Sequence, residues 1–127
     1  MKNTLLRIDT ILFWLPKILA ILFIGFLAIF AFDVFEPRES IVYVIGAFLI
    51  HLIPNFILAI LLFIAWKKEK LGGALFILLA FVFTIYFRTY THFVNFLLVS
   101  FPVFLIGALF LLHTYLIEKR GGIYEKD

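Results

Sequence analysis

The residues best suited to chemistry lie inside an apolar run, in the segment FLIHLIPNFILAI at positions 48–60. His51 carries an imidazole that can bind or relay a proton, and Asn55 carries an amide that can donate and accept hydrogen bonds. Pro54 lacks an N–H and crowds the carbonyl of Ile50, so a helix through this segment loses one backbone hydrogen bond. His51, Pro54 and Asn55 therefore form a candidate polar site inside the membrane. Two functions remain possible for it: a proton or ion relay, or an interhelical hydrogen bond beside the broken backbone.

Other reactive groups are sparse. Haem ligation by two histidines requires both at one depth, but His51 and His113 differ in depth by roughly 16 Å at 1.5 Å per residue. The chain has no cysteine, which excludes disulfides and thiolate sites. It also lacks a phosphate-binding glycine loop, a nucleophile elbow, a zinc HExxH motif and paired carboxylates within a run. We therefore predict no catalytic, cofactor-binding or metal-binding residue, no cofactor, and a function that is not enzymatic.

The composition defines the medium around these residues. Of the 127 residues, 65% are hydrophobic, 20% are aromatic and only 15% are charged. Soluble domains are about a quarter charged, and a chain of this length could not hide so much apolar surface in one core. The sequence therefore predicts an integral membrane protein with the lipid bilayer as its partner. The formal charge of +3 comes from basic residues at the ends of apolar runs, which is typical of membrane orientation, so no nucleic-acid partner is predicted.

Short charged breaks divide the chain into four apolar runs within a single membrane domain, residues 1–127. The predicted spans are residues 11–32, 41–66, 71–87 and 94–117. As helices, these runs can cross a hydrocarbon layer of about 30 Å, and breaks this short make consecutive helices antiparallel neighbours. The segment before Pro16 mixes polar and apolar positions and is expected to lie along the membrane surface.

The positive charges predict the orientation. Nine of the eleven Lys and Arg residues fall at the chain termini, in the first run or in the second break, and only Arg38 and Arg88 fall in the other two breaks. Because basic residues favour the cytoplasmic side, both termini are predicted to be cytoplasmic. Lys17, inside the first run, is expected to extend its ammonium to the inner headgroups.

Small residues predict where the helices meet, because lipid satisfies large apolar side chains as well as a protein does. In the second run, alanines share a four-residue row with His51 and Asn55; in the third and fourth runs, small residues recur at seven-residue spacing. The predicted helix-packing residues are Ala47, Ala59, Gly73, Ala80, Ser100 and Gly107. The fold class is therefore all-α: a polytopic, antiparallel bundle of four transmembrane helices.

Three blocks carry a resemblance: KILAILFIGFLAIFAFDVF, FLIHLIPNFILAILLFIAWKKEKLGGALFILLAFVF and FPVFLIGALFLLHTYL. With the segments His51 to Pro54, Trp66 to Gly73 and Pro102 to Gly107, they resemble an uncharacterised group of short prokaryotic four-span membrane proteins. The resemblance implies four-helix topology and prokaryotic origin, and it carries no activity.

The expected protein is a multi-pass component of an inner or plasma membrane. Its predicted function is interaction, as an accessory subunit of a larger membrane complex or as a homo-oligomer. The alternative is a small transporter or channel whose path is lined by His51, Pro54 and Asn55. The sequence identifies no small-molecule substrate for either function.

Overall fold

A computed structural model describes residues 2–35 and 39–125. Its α-helices are α1 (Lys2–Ala31), α2 (Ile41–His51), α3 (Ile53–Lys67), α4 (Glu69–Tyr86), α5 (Phe93–Asn95) and α6 (Phe101–Glu125). Four helical stretches are long and apolar enough to cross a membrane, and we number these spans in chain order: Asn3–Ala31, Ile41–Lys67, Glu69–Tyr86 and Phe93–Arg120. The prediction of an all-α protein with four membrane-capable helices is confirmed.

The first span is longer at its start than the sequence indicated. The helix α1 runs from Lys2 to Ala31 with Pro16 inside it, so the segment before Pro16 is one helix with the span and not a separate surface segment. Asp9, in this early part of α1, pairs with Arg120 of the fourth span. That ion pair links the polar start of α1 to the fourth span.

The second span is interrupted at one residue. The helix α2 ends at His51 and α3 begins at Ile53, with Leu52 between them. Pro54 lies in the first turn of α3, where a missing N–H leaves no intrahelical hydrogen bond unmade. The proline therefore starts a new helix segment, and the residues around it are presented at an angle set by the break.

The fourth span also begins irregularly. Arg88 takes a left-handed conformation with φ of 52°, which turns the chain out of α4 into the short 3₁₀ turn Thr89–Thr91. A π-helical segment, Phe96–Ser100, then leads into α6. Such π segments alter which face of a helix a side chain occupies, and this one ends at the buried Ser100.

The packed centre lies between α4 and α6, with α1 and α3 against it. Phe76 and Phe110 stack with ring centroids 5.8 Å apart, and both are fully buried. The turn between the second and third spans is tightly packed, because a methyl group at Gly72 would clash with Ala65. The helix α2, in contrast, buries only Val44, so the first half of the second span lies at the edge of the molecule.

Candidate functional site

Asn55 links the second span to the first. Its side chain is buried, with 6% exposure, and Nδ2 donates to the carbonyl oxygen of Ile24 over 2.8 Å. The other amide atom, Oδ1, is buried without a hydrogen-bond partner in the described part of the chain. A free acceptor in this position is unfavourable, because an unpaired polar atom loses its water without compensation.

His51, unlike Asn55, is exposed. Its Nδ1 is 2.8 Å from the carbonyl oxygen of Ala47; since a carbonyl only accepts, Nδ1 carries a proton, and in the neutral form of this ring Nε2 is an acceptor. Neither side chain donates to the carbonyl of Ile50: His51 donates to Ala47, and Asn55 makes an interhelical hydrogen bond to Ile24. Asn55 is five residues after Ile50, about 140° around a helix, and therefore points towards the first span instead of back to that carbonyl.

A cavity of about 850 Å³ joins the three predicted polar-site residues, His51, Pro54 and Asn55. All four spans line it, on the side of the bundle nearest the breaks that contain Phe35 and Arg88. Most of its wall is apolar, and Thr89 adds a buried hydroxyl. The arrangement has the mixed character of a ligand site: a largely apolar hollow with a few fixed polar atoms.

The predicted helix-packing residues fall into two groups. The third and fourth spans meet at Gly73 and Gly107: a methyl group on Gly107 would lie 2.9 Å from the Gly73 carbonyl oxygen. Ala80 and Ser100 are also buried. In the second span, Ala47 is half-buried and Ala59 is exposed, because a four-residue row drifts by about 40° per step and only its middle faces a neighbour.

Hydroxyl groups hold the third and fourth spans together near the cavity. Ser100 Oγ is 2.9 Å from Thr84 Oγ1 and 2.6 Å from Thr89 Oγ1, while Thr84 donates to the carbonyl oxygen of Ala80 over 2.7 Å. The chain of hydroxyls explains why Thr89 and Ser100 are both buried: each finds a partner inside the protein.

Lys17 is buried and does not extend to the inner headgroups as expected. It is 2% exposed, and its Nζ donates to the Phe13 carbonyl oxygen over 2.8 Å. The ammonium lies 3.5 Å from the ring centroid of Phe13 and 5.4 Å from that of Trp66. Aromatic faces attract a cation, so the side chain is held between spans instead of passing out of them.

Two further pairs stabilise the same end of the molecule. His113 Nδ1 lies 2.7 Å and 2.8 Å from the two carboxylate oxygens of Glu69, and Arg120 pairs with Asp9. The sequence analysis missed both pairs. The first pair could have been predicted from the depth of its residues in the membrane, because Glu69 and His113 both lie near the cytoplasmic ends predicted for their spans. The signal for the second pair was Asp9, an acidic residue in an otherwise basic N-terminal segment.

The polar side chains are thus arranged mainly as bonds between spans. Within residues 2–35 and 39–125, no three His, Asp or Glu residues are grouped so as to hold a metal ion. The cavity remains open to another molecule, and it is lined by His51 and by Asn55, whose Oδ1 has no partner in the described chain. The chemistry that this geometry supports is non-covalent binding.

These features define the class: a helical protein with four membrane-capable helices, polar links between its spans and a cavity of about 850 Å³ lined by all four. The chain belongs to the family described as a domain of unknown function (DUF7670), whose model matches residues 2–123. The match is consistent with the resemblance to an uncharacterised family. No curated protein and no solved structure matches the chain.

Proposed function

We propose that the chain is an antiparallel four-helix bundle in the inner or plasma membrane of a prokaryotic cell, with both termini on the cytoplasmic side. The nine-to-two distribution of basic residues supports the orientation, because Lys and Arg are retained on the cytoplasmic side. Contacts between Asp9 and Arg120, and between Ile24 and Asn55, support the antiparallel arrangement.

Within that membrane, the proposed function is non-enzymatic interaction, as an accessory subunit or a homo-oligomer. The observation that carries the proposal is the exposed position of His51, about 15 Å along the second span from its start at Ile41. Hydrocarbon offers no donor to its Nε2, so a polar group at this depth is unfavourable against lipid and favourable against another helix. Gly46, in the same helix, has no atom of the described chain beyond its own helical turn within 4 Å of where a side chain would begin, and a partner helix could approach closely there.

Mass measurement in mild detergent, combined with pull-down from native membranes, tests this function. The wild-type chain is expected as an oligomer or with a reproducible partner. Gly46→Leu should weaken the association by adding bulk on α2. Gly25→Leu is the matched control, because Gly25 also has no atom within 4 Å of a new side chain but lies on α1. A wild-type monomer without partner contradicts the proposal, as does equal weakening by both substitutions.

A second candidate function is transport or conduction through the bundle. The cavity of about 850 Å³ favours it, because His51, Pro54 and Asn55 all line that space. Purified protein in liposomes should then carry a measurable proton or solute flux, and His51→Ala should reduce it. His92→Ala is the control, since His92 is exposed in the break before the fourth span and does not line the cavity. Flux unchanged by His51→Ala would remove His51 from the mechanism.

A further inference from the structure

The cavity has the size and wall of a small-molecule site. Its volume of about 850 Å³ lies within the 300–1,000 Å³ that is typical of ligand pockets, as an order of magnitude. Each span contributes apolar side chains, among them Phe26, Ile57, Leu79 and Leu98. Phe26, Ile57 and Leu98 are exposed at the molecular surface, so the cavity opens sideways, where a membrane-spanning bundle meets lipid.

Five polar side chains line the cavity, His51, Asn55, Tyr86, Thr89 and Asn95; the one with a buried atom that lacks a partner in the described chain is Asn55. Among the described residues, Asn55 Oδ1 is buried without a partner, while the Nδ2 of the same amide donates to the carbonyl oxygen of Ile24. His51 also lines the cavity, with its Nδ1 committed to the carbonyl oxygen of Ala47. No residue that lines the cavity in the described chain is Asp, Glu, Lys or Arg. The site therefore favours a neutral guest with a hydrogen-bond donor.

From this geometry we infer that the cavity binds a neutral membrane amphiphile whose hydroxyl group donates to Asn55 Oδ1 while its apolar chain fills the rest of the space. A hydroxyl satisfies the free acceptor, which removes the cost of leaving it unpaired. A fatty acid carboxylate would instead bring negative charge against this acceptor, and an alkane would leave Oδ1 unpaired. Bilayer-dissolved alcohols reach the site through the lateral opening without crossing water.

This inference uses the cavity of the transport candidate but requires no translocation. If the amphiphile binds but the liposomes show no proton or solute flux, only the transport candidate is rejected. If the amphiphile does not bind, this inference fails whether or not flux is measured. Association with a protein partner through His51 and Gly46 is measured separately, by mass, so the two proposals fail independently.

The test uses the full chain in phosphatidylcholine nanodiscs with a photoactivatable sixteen-carbon alcohol as the probe. Labelling is expected at cavity-lining residues, identified by mass spectrometry. Unlabelled hexadecanol should compete about five- to tenfold better than its methyl ether, because the ether lacks the donor and one hydrogen bond is worth roughly that factor. Palmitate should compete less well than the alcohol. Equal competition by alcohol and ether would overturn the inference.

Two variants localise the binding. Asn55→Leu removes the acceptor and should bring the alcohol to the affinity of the ether. Because Asn55 also holds the second span to Ile24, Leu98→Trp provides an independent check: Leu98 lines the cavity, so the larger ring should reduce labelling about tenfold or more, as expected when a binding cavity is filled. Leu97→Trp is the matched control, because Leu97 is a similarly exposed neighbour outside the lining. Unchanged labelling in Leu98→Trp, or labelling that instead links two copies of the chain across the cavity, would reject the site.

Discussion

Gly107 lies against the backbone of Gly73, so that a methyl group on Gly107 would be 2.9 Å from the Gly73 carbonyl oxygen and 2.9 Å from Ile77 Cγ1. The contact joins α6 to α4 at the packed centre of the bundle. Backbone at this distance cannot move aside like the end of a flexible side chain. The close approach of these two spans therefore requires a residue without a side-chain carbon at position 107.

We predict that Gly107→Ala destabilises the protein, because its methyl group enters a filled space. Overpacking of this kind costs about 1–3 kcal/mol. Unfolding in mixed micelles, followed by circular dichroism, measures the change in the free energy of unfolding.

Gly25→Ala is the control for that substitution. Gly25 has no atom within 4 Å of a new Cβ, so the methyl group meets no obstacle and the lower backbone freedom of alanine favours the helix. Its stability should be equal to or above that of the wild type. If Gly107→Ala proves as stable as Gly25→Ala, the spans do not approach as closely as described.

A second prediction concerns the hydrogen bond from Asn55 to Ile24. Asn55→Leu keeps the approximate volume and removes the donor, so the first and second spans lose their polar link. Interhelical bonds in membranes contribute about 0.6 kcal/mol on average and at most about 1.7 kcal/mol, and the loss should fall in that range because removal of the unpaired Oδ1 offsets part of it. Asn95→Leu, at an exposed position, should change the unfolding free energy less. Equal effects at both positions would contradict a specific role for Asn55.

The pair formed by His113 and Glu69 gives a third prediction. Its side chains are only 5% and 20% exposed, so the hydrogen bond is shielded from water. A double-mutant cycle with His113→Leu and Glu69→Gln should give a coupling energy of about 1.5–3 kcal/mol, as expected for a hydrogen bond to a charged group.

The control cycle uses Lys70 and Glu118, which lie 3.5 Å apart with side chains 72% and 59% exposed. Exposed pairs of this kind contribute about 0.2–1 kcal/mol or less, so Lys70→Met with Glu118→Gln should show weak coupling. The comparison separates burial from charge alone. A His113–Glu69 coupling no larger than that of Lys70–Glu118 would show that the shielded pair contributes nothing special.

The number of membrane-capable helices could be predicted from the sequence because runs of apolar residues have to match the thickness of a bilayer. The charged breaks gave the ends of the second span within one residue: the predicted range was 41–66 and the helical stretch is Ile41–Lys67. The first span begins earlier in the structure than predicted, because the local polarity around Asp9 does not reveal its distant partner, Arg120.

The partners of the polar side chains could not be predicted in the same way. In a soluble helix the apolar stripe indicates which face is buried. Every face of these spans is apolar, so hydropathy does not predict which face of each helix contacts its neighbours. Lys17 illustrates the consequence: its sequence position is compatible with reaching the headgroups, and only the position of Phe13 and Trp66 shows that it stays inside. Asn55 was recognisable as a polar residue inside a span, but its bond to Ile24 depends on the break at Leu52.

The last prediction concerns orientation, and the absence of cysteine from the sequence makes it direct. Single cysteines at Asn3, His92 and Lys119, all exposed positions, can be labelled with a membrane-impermeant maleimide. If the basic ends are cytoplasmic, His92→Cys should react in intact spheroplasts, whereas Asn3→Cys and Lys119→Cys should react only after permeabilisation. The physical reason is that moving the lysines and arginines of both ends across the membrane is far less favourable than moving Arg38 and Arg88. Labelling of Asn3→Cys and Lys119→Cys from opposite sides would rule out an even number of crossings, and with it the antiparallel bundle on which the lateral cavity depends.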